Sequence, residues 1–409
     1  MELISFEICS YCFFKAQAET HGRKYSGFKI RIIVLKAIFY IADGLFSSLG
    51  KNAPSAFERV MRQESAVTEH LDTSISQQPF YGARLQEEQQ QWLDTQFPRQ
   101  NFSRFEAMCI AAMEEALSAT EINIRSKDCI IILSATKGNI EWLGAEPEDR
   151  IRLNTSAAII QQYFQNPNTP LIVSTACISG SLALIMAKRL LEAGIYREAV
   201  VVGADRLSAF VLSGFQSFQA IAPGQCKPFD KHREGINLGE AAACIVLSTT
   251  ISAPIKLAGG AISNDANHLS GPSRTGQELA NAIEHAMQEA VVQPADIDMI
   301  AAHGTATVYN DDMEAKALHL AGLSTAPLHS LKAYTGHTLG AAGILESIMA
   351  CRAMQANQLI VSLGFEEPGV PVPVNVTRQA EAKAIHAVLK TASGFGGCNA
   401  ALVWMKTAL

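Results

Sequence analysis

No stretch of the chain strings together the 18 or so uncharged apolar residues that a transmembrane helix needs. Charge of either sign is sparse: Asp, Glu, Lys and Arg make up 18% of the residues against 48% hydrophobic ones. That balance excludes a disordered chain and fits a soluble globular enzyme. The formal net charge of −6 leaves no overall basic footprint for nucleic acid, so any acidic partner must meet a local basic patch. Searches for a phosphate-binding glycine loop, a dinucleotide glycine fingerprint and an HExxH zinc helix all fail. Met1 and Glu2 open a terminus without a basic stretch leading into an apolar one, which argues against a secretory signal. The nine cysteines are odd in number and scattered, which is no disulfide framework, and a reducing cytoplasm is the expected setting.

What is present is long and patterned. A chain of 409 residues exceeds one simple core and calls for two domains or one large duplicated domain. Residues 1–35 stand apart as an N-terminal extension of uncertain structure, with a modest basic excess (Lys15, Arg23, Lys24, Lys29, Arg31). Cys9-x-x-Cys12 in that segment is half a zinc site without a second pair nearby. The plainer readings are an added segment with free thiols or an artefact of the start codon. From Lys36 onward, apolar runs of buried-strand length alternate with amphipathic helices. "CIIILSAT" (129–136), "LIVSTA" (171–176), "AVVVGA" (199–204) and "ACIVLS" (243–248) are such runs, and "SLALIMAKRLLEAG" is a helix closed by Gly194. Strand–helix–strand units of this kind predict a mostly parallel sheet covered by helices. The pattern recurs in the second half, so an N-terminal half at 36–250 and a C-terminal half at 251–409 are expected, the product of an internal duplication.

Each half places a chemically useful residue between a strand and a helix of small residues. In "VSTACISGS", Cys177 follows an apolar run and precedes a helix beginning near Ser181. The positive end of the helix dipole and exposed backbone N–H groups there favour a thiolate. Spacing alone leaves two readings open, a reactive thiol and a buried structural cysteine. Two histidines add weight to the first. His303 in "HGTATVYNDDME" and His337 in "KAYTGHTLGAAG" each lie just past a strand beside glycine, where a side chain can enter a pocket.

Taken together, "TACISG", "KPFDKHREGINLGEAAACIVL", "HGTATVYNDDME", "KAYTGHTLGAAG" and "GFGGCNAALV" resemble the ordered motifs of the beta-ketoacyl-acyl carrier protein synthases with a Cys-His-His triad. The resemblance runs from about residue 36 to the end. It implies a thiolase-like layered α/β/α/β/α fold built from two similar halves. It also implies that Cys177 takes an acyl group from a carrier protein as a thioester. The backbone N–H groups of Cys177 and Phe395 would form the oxyanion hole. His303 and His337 would stabilise the enolate left when malonyl-carrier protein loses carbon dioxide. Lys332 would support the site electrostatically, paired with the carboxylate of Glu314, and Thr305, Thr307 and Asp311 stand at the family spacing. Phe395 would gate the cysteine on a glycine-rich turn. Asp230, Arg233 and Glu240 would hold the preceding loop by ion pairing, and Asp265 and His268 would line the entrance. No metal or redox cofactor is implied.

The implied partners are acyl- and malonyl-loaded carrier protein, docked electrostatically, and a second subunit, identical or related, joined through a sheet edge beside the nucleophile. A partner-dependent or non-catalytic subunit that sets chain length is the alternative, and Cys177 argues against the non-catalytic form. A binding module for acyl chains and a coenzyme A thiolase fit the motifs less well. Several positions depart from the family pattern: Cys398 for threonine, Ser393 for phenylalanine, Gln219 for arginine, and "TVYND" after His303 without the common proline and glycine. They point to a specialised branch with its own acyl pocket or carrier protein.

Overall fold

The computed structural model of the chain describes residues 36–144, 148–266 and 271–407. Cys9, Cys12 and His268 lie outside those residues. Among the described residues no helix is long and apolar enough to cross a membrane.

Among the described residues, fourteen strands form two sheets. The first half contributes β1 (Phe39–Ser47), β2 (Thr68–His70), β3 (Phe80–Ala83), β4 (Cys129–Ser134), β5 (Leu171–Val173), β6 (Glu198–Asp205), β7 (Leu238–Gly239) and β8 (Ala241–Ser248). The second contributes β9 (Ile255–Asn264), β10 (Met299–Ala301), β11 (Pro327–His329), β12 (Asn375–Val376), β13 (Ala387–Gly394) and β14 (Cys398–Lys406). β2, β3 and β7 make a small separate sheet, and the other eleven run β12-β11-β10-β13-β14-β9-β1-β8-β6-β4-β5.

That order contains the duplication. Leaving aside the edge strand β12, each half has five strands. Numbered within its half, each reads third, second, fourth, fifth, first from the outside in: β5-β4-β6-β8-β1 and β11-β10-β13-β14-β9. The directions agree as well. The outer three strands of each half are parallel, and the inner two pair antiparallel with their neighbours. The halves join where β1 meets β9 antiparallel at Phe39 and Lys256.

The sheet is therefore mixed, against the expectation of a mostly parallel one. Short connections explain part of this: three residues between β13 and β14 can only close an antiparallel hairpin. A run of apolar residues carries no mark of strand direction.

Among the described residues, ten helices are interleaved with the strands. They are α1 (Ala53–Met61), α2 (Glu87–Gln96), α3 (Arg104–Ser118), α4 (Leu153–Phe164), α5 (Ser179–Glu192), α6 (Ala209–Ser217), α7 (Gln277–Ala290), α8 (Val308–Leu320), α9 (Lys332–Thr335) and α10 (Ala342–Ala356). Side chains alternate across each buried strand, and this sorts the layers. Cys129, Ile131 and Leu133 of β4 pack on one side with α3, while Ile130 and Ile132 pack on the other among α5 and α10. In the second half, Leu389 of β13 meets α7 and α8, and Val388 joins the central cluster. The result is five layers, α/β/α/β/α, with α5 and α10 in the middle.

These two central helices occupy equivalent places, each entered after the third strand of its half. They touch backbone to backbone. A Cβ on Gly180 would lie 2.9 Å from the Gly340 carbonyl oxygen, and one on Gly343 only 2.3 Å from the Ser181 nitrogen. Residues with side chains cannot approach this closely.

Candidate active site

Cys177 sits in the turn between β5 and α5. Ala176 ahead of it adopts a left-handed φ of +43°, a strained conformation for a residue with a Cβ. Ser179 fixes the turn: its hydroxyl accepts from the Thr175 N–H at 2.8 Å and donates to the Ala176 carbonyl at 2.6 Å. The thiol is 8% exposed and packs among Leu207, Val211, Leu212, Leu238 and Leu339. Burial pushes its pKa up to about 12; Cys398 adds to the shift, and Lys332 and Lys137 oppose it. The helix terminus thus does not produce a resting thiolate, against the sequence expectation, because desolvation of the charged form dominates.

The turn Phe395–Gly397 between β13 and β14 lies against this cysteine. A Cβ at Gly394 would be 3.0 Å from the Cys177 nitrogen and 3.0 Å from the Cys398 sulfur. Gly396 and Gly397 take φ of +86° and +75°, which only glycine adopts readily. Phe395 is 38% exposed and is held by two rings, Phe215 at 5.6 Å and Phe218 at 5.2 Å between centroids. The Cys398 thiol donates to the Phe395 carbonyl.

The second half brings both histidines to one spot. Their rings meet edge to face, 5.3 Å apart at an interplanar angle of 83°. His303 follows β10, and its backbone is pinned. Its N–H donates to Glu314 Oε1 at 2.9 Å and to Thr391 Oγ1 at 3.3 Å, and the Gly304 N–H donates to Glu314 Oε2 at 2.8 Å. His337 follows α9; its N–H donates to the Asn237 carbonyl at 2.7 Å. Neither ring nitrogen of His337 has a hydrogen-bond partner although the residue is buried. Burial lowers the pKa of both histidines well below the usual value. Lys332 and Lys390 lower both further, and His337 also acts on His303. Burial and the lysines thus disfavour imidazolium, and a neutral imidazole donates one N–H.

Lys332 Nζ donates to the His303 carbonyl at 3.0 Å and pairs with Glu346 on α10. The expected pairing with Glu314 is therefore wrong. Glu314 is occupied by two backbone N–H groups and by the Thr391 hydroxyl at 2.5 Å. Asp311 accepts from the N–H groups of Phe229, Thr305 and Ala306, and it shapes the turn after His303. Burial pushes its carboxyl up to about 7. The Thr305 and Thr307 hydroxyls hydrogen-bond each other at 2.8 Å.

Among the loop residues, Arg233 pairs with Asp312 and Glu240 with Arg206, while Asp230 accepts backbone N–H groups of His232, Glu366 and Glu367. The expectation of ion pairing thus fails for Asp230. Asp265 is buried, with its carboxylate accepting from the Ser273 N–H at 3.2 Å.

Three members of the cluster escaped the sequence reading: Glu346, Lys390 and Thr391. The first two carry a usable signal, a lone charge inside an otherwise apolar run, in "GILESIMAC" and "AVLKTAS". Among the described residues, no group of three or more His, Cys, Asp and Glu side chains is placed to hold a metal ion.

The cysteine and the histidine pair come from opposite halves and converge. Leu339, two residues past His337, packs in the cluster around Cys177, and Lys332 acts electrostatically on the thiol and on both imidazoles. A thiol beneath a glycine turn, with a buried imidazole pair from the other half, is suited to acyl transfer through an oxyanion.

Comparisons with known proteins agree with this chemistry. The family described as "Beta-ketoacyl synthase, N-terminal domain" matches residues 41–253, and "Beta-ketoacyl synthase, C-terminal domain" matches 255–366. The chain is 31% identical over 276 residues to a 3-oxoacyl-(acyl-carrier-protein) synthase 2 of Rhizobium meliloti, a match covering 63% of this chain and 65% of that relative. It is 25% identical over 407 residues to the enzyme of the same name from Vibrio cholerae, covering 89% and 97%. Among solved structures, it resembles a ketosynthase in complex with its chain length factor from Xenorhabdus doucetiae, with a TM-score of 0.80, 26% identity and coverage of 91% and 98%. The ishigamide ketosynthase/chain length factor shares the fold, with a TM-score of 0.83 at 24% identity over 92% and 100% of the two chains.

Proposed function

Since the chain belongs to the beta-ketoacyl synthase family, we propose that it condenses an acyl thioester held on Cys177 with malonyl-acyl carrier protein, extending a fatty acid or polyketide chain by two carbons. The Cys177 sulfur displaces the carrier thiol from an acyl-carrier protein, and the thiol proton leaves with the carrier. The acyl oxygen faces the N–H groups of Cys177 and Phe395. Malonyl-carrier protein then enters. His303 and His337 donate to its thioester oxygen while the carbon–carbon bond to the carboxylate breaks and carbon dioxide departs. The enolate carbon attacks the acyl-cysteine, a β-ketoacyl-carrier protein forms, and the Cys177 thiolate recovers a proton. Preorganised donors contribute most where charge appears only along the reaction path.

The observation that carries this reading is the histidine pair. Two buried imidazoles sit edge to face, and the His337 nitrogens are unpartnered in the free protein. An unsatisfied buried donor costs about 1–3 kcal/mol, and a substrate oxygen bound between the rings recovers it.

The protein works as a dimer in this reading, with β5 as the joining edge. β5 is the last strand of the sheet and leads directly to Cys177. The partner is a second copy or a related subunit that sets chain length; the likeness to a ketosynthase bound to its chain length factor keeps the latter in view. All seven described cysteines are free, which suits a cytoplasmic location.

Intact mass after mixing with acyl-carrier protein tests the proposal. An acyl adduct on the wild type and none on Cys177→Ala is expected, followed by loss of the adduct when malonyl-carrier protein is added. A folded wild type that forms no adduct with any of several chain lengths rejects an autonomous synthase.

A further inference from the structure

β13 carries a lysine where its neighbours are apolar or small. Lys390 is 0% exposed. Its Nζ lies 2.7 Å from Glu346 Oε2, and it donates to the Thr391 carbonyl. Glu346 thus stands between two lysines, with Lys332 on Oε1 and Lys390 beside Oε2. Glu314, on α8, is a second buried carboxylate and is tied to the His303 backbone; Asp311, on the same helix, is a third, and burial pushes its carboxyl up to about 7. Two cations and at least two carboxylates are therefore shut away from water behind the histidine pair.

Each part of this cluster comes from a different element: Lys332 from α9, Lys390 from β13, Glu346 from α10 and Glu314 from α8. Removing one partner of a buried ionic group leaves an uncompensated charge. Lys332 alone cannot balance both Glu346 and Glu314. Without Lys390 the net charge behind His303 is negative, and a negative charge favours imidazolium.

We propose that Lys390 is a positioning residue for the condensation: it clamps Glu346 against Lys332, balances the second carboxylate, and so keeps His303 and His337 as neutral donors across the working pH range. This rests on the condensing-enzyme reading above. Neutrality matters to that reaction. An imidazolium would hand its proton to the enolate and convert it into an acetyl thioester, destroying the carbon nucleophile. A neutral imidazole stabilises the same oxygen and leaves the carbon reactive.

The groups acting on the pair all lower it, while those around its neighbours act in both directions. Burial lowers both histidines, and Lys332 and Lys390 lower them further. His329 on β11, buried beside the same cluster, is pushed down to about 3 by burial; Glu346 opposes the shift and Lys390 adds to it. Burial raises the Glu346 carboxyl, but the two lysines outweigh it and its pKa ends below the ordinary value. Burial lowers Lys390 itself, against Glu346.

The test is an NMR titration of isotope-labelled histidine between pH 5 and 8, with the two rings assigned from His303→Asn and His337→Asn. In the wild type both rings are expected to stay neutral throughout. In Lys390→Met the His303 ring is expected to begin titrating inside that range, with imidazolium at the acid end where the wild type shows none. Acetyl-carrier protein should then increase relative to condensed product on the acid side, and Lys390→Arg should restore the wild-type profile. A wild-type His303 that titrates near the free value overturns the proposal. So does a Lys390→Met protein that melts earlier with unchanged titration, since that is the mark of a purely structural lysine. If neither Lys390→Met nor Lys390→Gln folds, the wild-type titration decides. The titration needs no turnover, so a failure of condensation is read separately.

Discussion

At Cys177 two effects oppose each other: the start of α5 favours a thiolate, and an apolar surround favours the thiol. The surround wins, and the thiol is pushed up to about 12. Alkylation of Cys177 by iodoacetamide, followed by peptide mass, should therefore be slow at pH 7 and still accelerate at pH 10, since reactive thiolate grows as pH approaches the raised pKa. A rate that levels off near pH 8.5 would show an unshifted thiol. At this scale the sequence marked Cys177, His303 and His337, because each stands where an apolar run breaks at small residues, and the family resemblance added Lys332. It concealed Glu346 and Lys390, because they are swallowed by such runs, and a periodicity argument reads a run by its majority. The partner of Lys332 was misread for a related reason. Glu314 and Glu346 lie 18 and 14 positions from the lysine, and distance along the chain does not tell which carboxylate the fold turns toward it.

The site depends on how closely α5 and α10 meet. Both helices begin next to reactive residues, Cys177 ahead of one and His337 ahead of the other, and both are bare of side chains at the contact. Gly343→Ala should push the two starts apart. The expected loss is about 1–3 kcal/mol of stability from overpacking, together with a fall in condensation larger than the fall in folded protein. Gly214→Ala, in α6, meets nothing within 4 Å and should leave melting temperature and turnover unchanged. Equal melting curves for Gly343→Ala and the wild type would mean that the helices can separate freely. Helices and buried strands were legible as elements from their periods and, for α5, from Gly194 just past its end. Strand direction was not: the antiparallel centre of the sheet depends on which strands become neighbours, and a window of sequence does not contain that.

For the whole molecule, the question is what covers β5. Its residues Leu171 and Ile172 are only half-buried at the last strand of an 11-stranded sheet. An open apolar edge is a pairing surface, and charge placed on it blocks pairing. Ile172→Lys should halve the mass seen by light scattering relative to wild type and lower turnover with it. An unchanged dimer mass would place the interface elsewhere. The recurrence of strand, chemically useful residue and small-residue helix pointed to an internal duplication. The shared third-second-fourth-fifth-first strand order is far stronger support, and it lives in topology alone. Two sequences that diverged long ago keep the order of their strands after losing the identity of their residues.

The place of β1 has a consequence for biosynthesis. β1 is made well before its neighbours β8 and β9, which come roughly two hundred residues later in the chain. At a translation rate of about 5–20 residues per second, its apolar length waits on the order of ten seconds or more for a partner. All of that intervening chain must thus leave the ribosome before the middle of the sheet can close, and during that interval β1 is a natural client for a chaperone.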